Sequence, residues 1–263
     1  MLRGYGRSLL ARSLPFASSA LLACTGPGVD GGPAELVRTV QDSGQNRALS
    51  FDGVDDYVST GTAQFPDGRS AQTFSAWFLF DGSAGRQALL AARKDYDSGL
   101  ELELRDGIPG VFRAFAPDRE LVAGKAAVTP GVWHFIAFTF DQTTNVLYLD
   151  GERIASSTTL PDKRTPTTFW LGTIDGSRDL FAGSIDTVHV FDVARTPQQI
   201  AAEYAGTFVA ADAGPVLDLS FDESSGSVVY DRSAYANDGL LGDGDPQRMP
   251  ARVASDAPHF ASP

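Results

Sequence analysis

The stretch Phe181-Ala-Gly-Ser-Ile-Asp-Thr-Val-His-Val-Phe-Asp-Val-Ala-Arg-Thr-Pro-Gln-Gln-Ile-Ala-Ala-Glu-Tyr204 changes period in its middle. Ile185, Thr187, His189, Phe191 and Val193 alternate on one face, while Val188 and Val190 are apolar on the other. That mixture predicts a strand buried largely on both sides. Thr196, Pro197 and Gln199 then supply an N-cap, a proline at the first helical position and a glutamine at N3, the parts of a capping box. A short helix from Ile200 to Tyr204 follows, closed at Gly206. A nearly buried strand ending in one or two helical turns reads as the close of the main domain. Asp186 lies inside that strand, so its carboxylate needs either hydrogen-bonding groups or a cation.

Working back toward the N-terminus, short apolar segments alternate with turn signals from Arg47 onward. Candidate strands are 48–51, 57–59, 73–80, 88–93, 100–105, 111–116, 133–140, 146–149, 153–156, 168–171 and 184–193. Between them stand Asp52-Gly53, Asp81-Gly82, Asp106-Gly107, Pro130-Gly131, Asp150-Gly151 and Asp175-Gly176, residues that tight reversals favour. Many short strands, no βαβ spacing and one terminal helix predict an all-β sandwich of two antiparallel sheets. In Leu100-Glu-Leu-Glu-Leu-Arg105 the leucines face one way and Glu101, Glu103 and Arg105 the other, which predicts a solvated face. Residues 133–140 are apolar on nearly both faces and read as a central strand. Trp77, Trp133 and Trp170 lie in the most apolar segments and are expected in the core.

The 263 residues carry 21 Lys+Arg against 33 Asp+Glu, a net charge of −12. With no basic patch, nucleic acid is excluded as a partner. The only cysteine is Cys24, so no disulfide can form within the chain. Residues 1–23 hold Arg3, Arg7 and Arg12, no acid, and a short apolar run leading into Leu21-Leu22-Ala23-Cys24. The segment resembles a bacterial lipoprotein signal peptide, which implies export, lipidation at Cys24 and anchoring to the bacterial cell envelope. Residues 24–46, rich in Gly, Pro and small polar residues, read as a flexible tether.

Four segments in order carry a family resemblance. Ala48-Leu-Ser-Phe-Asp-Gly-Val-Asp-Asp-Tyr-Val58, Thr73-Phe-Ser-Ala-Trp-Phe78, the pair Gly131–Ala137 with Leu147–Glu152, and 181–204 resemble a laminin-G-like, concanavalin A-like jelly roll over residues 47–206. The tail, 207–263, contains Val216-Leu-Asp-Leu-Ser-Phe-Asp-Glu223 and Asp231-Arg-Ser-Ala-Tyr-Ala-Asn-Asp-Gly-Leu240, similar to the lead-in that precedes the first strand in such domains. Two readings stand. Either the tail is a poorly ordered stump of a second repeat, or 216–221 docks beside the closing strand. Leu217, Leu219 and Phe221 on one face favour docking, because a lone strand cannot bury itself.

The resemblance implies a structural Ca2+ site near the first and closing strands. Carried over by motif position, its ligands would be Asp52, Asp186 and Asp222, completed by backbone carbonyls. Softer metals are disfavoured by one cysteine and three scattered histidines (His134, His189, His259). The family includes glycoside hydrolases with paired carboxylates on one strand face. Glu101 and Glu103 have that spacing, but Arg105 stands where a third acid is expected, so no catalytic activity is expected. Binding remains. Jelly rolls hold sugars by ring stacking and by polar loop residues. The candidates are Arg93, Asp95, Tyr96, Phe112, Arg119, Asp175 and Arg178, with Phe115 and Asp118 nearby. The expected partner is a glycan; a protein-interaction or adhesion role, with an envelope or extracellular protein as partner, is the alternative.

Overall fold

The computed structural model describes residues 44–95, 98–114, 120–207 and 214–257. The signal peptide, Cys24, nearly all of the tether, Tyr96, Phe115, Asp118, Arg119 and His259 lie outside them. Two hairpin tips illustrate how local sequence sets the architecture. Asp106 and Gly107 (φ 51° and 78°) and Asp150 and Gly151 (φ 51° and 80°) both adopt positive φ. Two-residue turns of that kind match the twist of the strands they join.

The first sheet contains β1 (Arg47–Asp52), β3 (Gln72–Phe80), β8 (Trp133–Phe140), β9 (Asn145–Leu149), β10 (Glu152–Ser157), β12 (Ala182–Phe191), β13 (Leu217–Leu219) and β16 (Ala251–Ala254). Its order is β10-β9-β8-β3-β12-β1-β16, and β13 also pairs with β12. The second sheet contains β2 (Val58–Thr60), β4 (Arg86–Asp95), β5 (Ser98–Arg105), β6 (Ile108–Arg113), β7 (Glu120–Ala123), β11 (Thr168–Leu171), β14 (Val228–Val229) and β15 (Gly239–Leu241), in the order β14-β15-β2-β11-β4-β5-β6-β7. All pairings are antiparallel. Between the sheets lies one apolar core that includes Phe74, Phe78, Phe138, Leu90, Leu102, Phe169 and Val190. The fold is the expected two-sheet jelly roll with one short helix.

That helix, α1 (Pro197–Tyr204), begins with the full capping box: Gln199 N–H donates to Thr196, and the Gln199 side chain accepts from Thr196 N–H. It covers the outer face of the first sheet, where Ile200 packs with Trp77, Phe135 and Tyr148. The mixed period of the closing strand has a specific cause. The β3–β12 register slips between Asp186 and Val188, with Thr187 at φ 43°. One extra residue in one strand inverts which side chains face the core. Ile185 therefore points inward before the bulge, Val188 and Val190 after it, and His189 outward.

The tail enters both sheets. β13 lies on β12, β16 pairs with β1, and β15 pairs with β2. Val216, Leu217, Leu219, Phe221, Val229 and Leu241 all belong to the main core. His189 ties the tail to the helix, with Nδ1 2.9 Å from Glu203 Oε1 and Nε2 3.4 Å from Asp218 Oδ1. Burial alone would pull His189 down, but hydrogen bonds to Asp218 and Glu203 outweigh it and hold the imidazolium up to about 9.

Candidate functional site

The outer face of the second sheet carries the polar chemistry. In β11, Phe169 and Leu171 are fully buried in the core, so Thr168 and Trp170 project outward. Trp170, expected in the core, is half-buried and meets Tyr57 edge-on with ring centroids 5.5 Å apart. Trp133 is also half-buried, donating from its indole to Asp256, whereas Trp77 is buried as expected. Opposite Trp170 in register stands Ala91 of β4, followed by Glu101 of β5 and Phe112 of β6.

The loop after β11 turns back over this face. Gly172, at φ 77°, starts the turn, and a Cβ there would lie 2.4 Å from the Phe51 ring. Ile174 then packs on Ala88, Ala91 and Trp170. The Thr173 hydroxyl donates to Arg178 O and accepts from Gly176 N–H at 3.1 Å, which fixes the loop's shape. Within it, Asp175 accepts from Arg178 Nε (2.7 Å) and Nη2 and from Ser177. Burial pushes the Asp175 carboxyl up, but these donors outweigh it and leave it below its ordinary value.

Trp170, Thr168, Ile174, Asp175 and Arg178 meet Arg93, Lys94 and Asp95 around an open depression of about 260 Å³. The size sits just under the roughly 300–1,000 Å³ usual for ligand clefts. Four of the sequence candidates, Arg93, Asp95, Asp175 and Arg178, are thus brought together. Asp95 accepts from Ser98 at 2.7 Å and is 3.4 Å from Arg164. Arg93 is only 5% exposed and pairs with Glu101. Phe112 is no stacking platform: it is buried, with the Arg105 guanidinium 3.3 Å above its ring centroid. Trp170 and Lys94 also line the depression and were not among the sequence candidates. The signal for Trp170 was the alternation Thr168-Phe169-Trp170-Leu171 between Pro166 and Gly172, which allows only one face of a short strand into the core.

The face with Glu101 and Glu103, predicted to be solvated, is closed over. The two are 2% and 0% exposed. Arg86 reaches Glu103 through Nε (3.1 Å) and Nη2 (2.7 Å), Asp179 at 3.1 Å and Glu101 at 3.5 Å. Arg105 Nε lies 3.1 Å from Glu103. Burial, then the hydrogen bond and charge of Glu103, push Glu101 up to about 7.

The carried-over calcium trio does not assemble. Asp52 stands opposite Ala182, while Ile185 is opposite Leu49, so Asp186 and Asp52 occupy opposite ends of the β1–β12 pairing. Asp186 accepts from Ser255 (2.6 Å) and Thr187 (3.0 Å), and Asp222 accepts from Arg47 N–H (3.0 Å). Burial pushes Asp186 up to about 7, and Asp222 contributes in the same direction. At the far end of β1, the carboxylate oxygens of Asp52, Asp55 and Asp56 lie within 4.8 Å of one another. Burial raises Asp56, and the Asp52 and Asp55 charges add to that rise against a backbone hydrogen bond from Asp52. An all-oxygen set that includes a half-exposed and an exposed carboxylate fits a hard cation, with carbonyls or water completing its shell. This triad can hold a metal.

Two antiparallel sheets over a single core, with polar residues and one half-buried tryptophan on an outer face, define a lectin-like β-sandwich. The chain belongs to the concanavalin A-like lectin/glucanases superfamily, whose laminin-G-type sequence model matches residues 52–201. No curated protein matches it. Among solved structures, a "putative carbohydrate binding protein" of Bacteroides ovatus is similar at a TM-score of 0.63 and 19% identity, over 82% of this chain and 62% of that one. The present chain therefore spans less than two thirds of that protein's length. The heptameric SAP-like pentraxin of Limulus polyphemus is similar at a TM-score of 0.53 and 13% identity, over 75% of this chain and 95% of that one. At these identities the likeness concerns the fold.

Proposed function

We propose that the protein is a non-catalytic carbohydrate-binding module that holds a glycan in the depression over Trp170. The observation that carries the reading is a half-buried indole beside hydrogen-bonding groups of both signs, Asp95, Asp175 and Arg178, and the Thr168 hydroxyl. Sugars present alternating apolar faces and hydroxyl edges, and such a set matches both. The description of the Bacteroides ovatus protein is consistent with this reading. Absence of hydrolysis is supported by the burial of Glu101 and Glu103 under arginines. Calcium at Asp52, Asp55 and Asp56 would serve the loop after β1, on the acidic cluster described above. Export and lipidation at Cys24 rest on the sequence of residues 1–24.

The test is a glycan-array screen of the wild type and Trp170→Ala, in calcium and in chelator. Saturable binding that Trp170→Ala abolishes is expected. Binding indifferent to that substitution contradicts the site. No binding to any glycan contradicts the reading and turns attention to a protein partner, sought by pull-down from envelope extracts.

A further inference from the structure

The charge around the depression runs against the charge of the chain. The protein has 33 acidic residues to 21 basic, yet in the lining Arg178 is matched by Asp175, Arg93 by the buried Glu101 and Asp95 by Arg164, which leaves the charge of Lys94 in excess. Both lining carboxylates are already engaged. Asp175 is held by Arg178 and Ser177, and Asp95 by Ser98 and Arg164. Neither therefore brings an unmatched negative charge to the depression, though each keeps lone pairs that can accept from a hydroxyl. Lys94 is exposed, and its ammonium has no carboxylate partner among the described residues. Arg164, about half exposed, adds a further cation at the rim beside Asp95. On a surface that repels anions overall, a cleft with surplus positive charge concentrates field lines on itself.

Resting on the carbohydrate-binding reading, we infer that the ligand is an anionic glycan whose acidic group lies against Lys94 while a ring stacks on Trp170. A lysine is a compact point charge, suited to a carboxylate or to a sulfate ester alike. The shared chemistry is the negative group on a sugar ring. Lys94, an exposed residue, lines the same depression as Trp170, so one sugar can engage the ring and the charge together. A neutral sugar would leave the ammonium without a counter-charge.

The test compares three versions of one oligosaccharide by calorimetric titration of the full chain: uronate-containing, sulfated, and neutral (carboxyl-reduced). The acidic forms are expected to bind about tenfold more tightly than the neutral one at low ionic strength, as a charge-assisted contact provides. The preference should shrink at high salt, where an exposed charge is screened. Lys94→Gln should bring the acidic-to-neutral ratio toward one. Of the two acidic forms, whichever binds more tightly identifies the anion. Equal affinity for neutral and acidic forms, lost in Trp170→Ala, overturns the anionic ligand and leaves the binding module standing. A preference unchanged in Lys94→Gln overturns the assignment of the charge. No binding by any form overturns both.

Discussion

Replacing Glu101 by glutamine isolates the energetics of the face on which the depression is built. Glu101 is 2% exposed, beside Glu103 at 0%. In the folded protein its carboxyl is pushed from 4.5 up to about 7, by burial first and Glu103 second. Between those values the folded protein keeps a proton that the unfolded chain has released. The stability this carries is therefore fully present below about pH 4.5 and is lost as pH rises through about 7. At 1.36 kcal/mol per unit the loss comes to about 3 kcal/mol. Glutamine keeps an oxygen for Arg93 but cannot ionise, so the variant lacks this contribution to the slope. Urea unfolding at about pH 5 and about pH 8 reads it directly. Glu101→Gln should be close to wild type at the lower pH and gain relative to it by up to ~3 kcal/mol at the higher. Parallel pH profiles for the two proteins would refute the reading that burial and Glu103 hold Glu101 protonated.

His189, held up to about 9 by Asp218 and Glu203 against the opposing effect of burial, contributes stability that is complete below 6.5 and lost as pH rises through about 9. Unfolding free energy should fall by about 3 kcal/mol across that window in the wild type and stay level in His189→Gln; the same fall in both contradicts the bridge from helix to tail. Phe221, fully buried in the main core, should cost about 3–5 kcal/mol on replacement by alanine, and an unchanged denaturation midpoint would mean that the tail is not part of the cooperative unit. Calcium at a hundred times its dissociation constant should stabilise the wild type by about 2.7 kcal/mol, and the gain in melting temperature should vanish in Asp55→Asn. An equal gain in that variant would place the ion elsewhere.

Much of the sandwich was legible because its signals are local. Asp106-Gly107 and Asp150-Gly151 announce hairpin tips, and the capping box of Thr196 and Gln199 announces the helix, within a few residues each. The bulge at Thr187 was visible only as a broken alternation, since sequence shows that two faces are apolar but not where the phase slips. The Glu101 face was misread because alternation says which way a side chain points, not what folds over it. Arg86, Arg93 and Asp179 arrive from β4 and from the loop after β11. The same limit explains the calcium trio. Asp186 and Asp222 are neighbours of the N-terminal end of β1, while Asp52 lies at its other end, and strand register alone separates them. Arg93, Asp95, Asp175 and Arg178 come together because the end of β4 and the loop after β11 meet on one face of the second sheet.

Hydrogen–deuterium exchange of the protein with and without the glycan selected by the array tests the central claim most directly. Saturable protection concentrated in residues 91–95 and 168–178, and absent in Trp170→Ala, is the predicted result. Protection confined to the outer face of the first sheet, or none at saturating glycan, would contradict it.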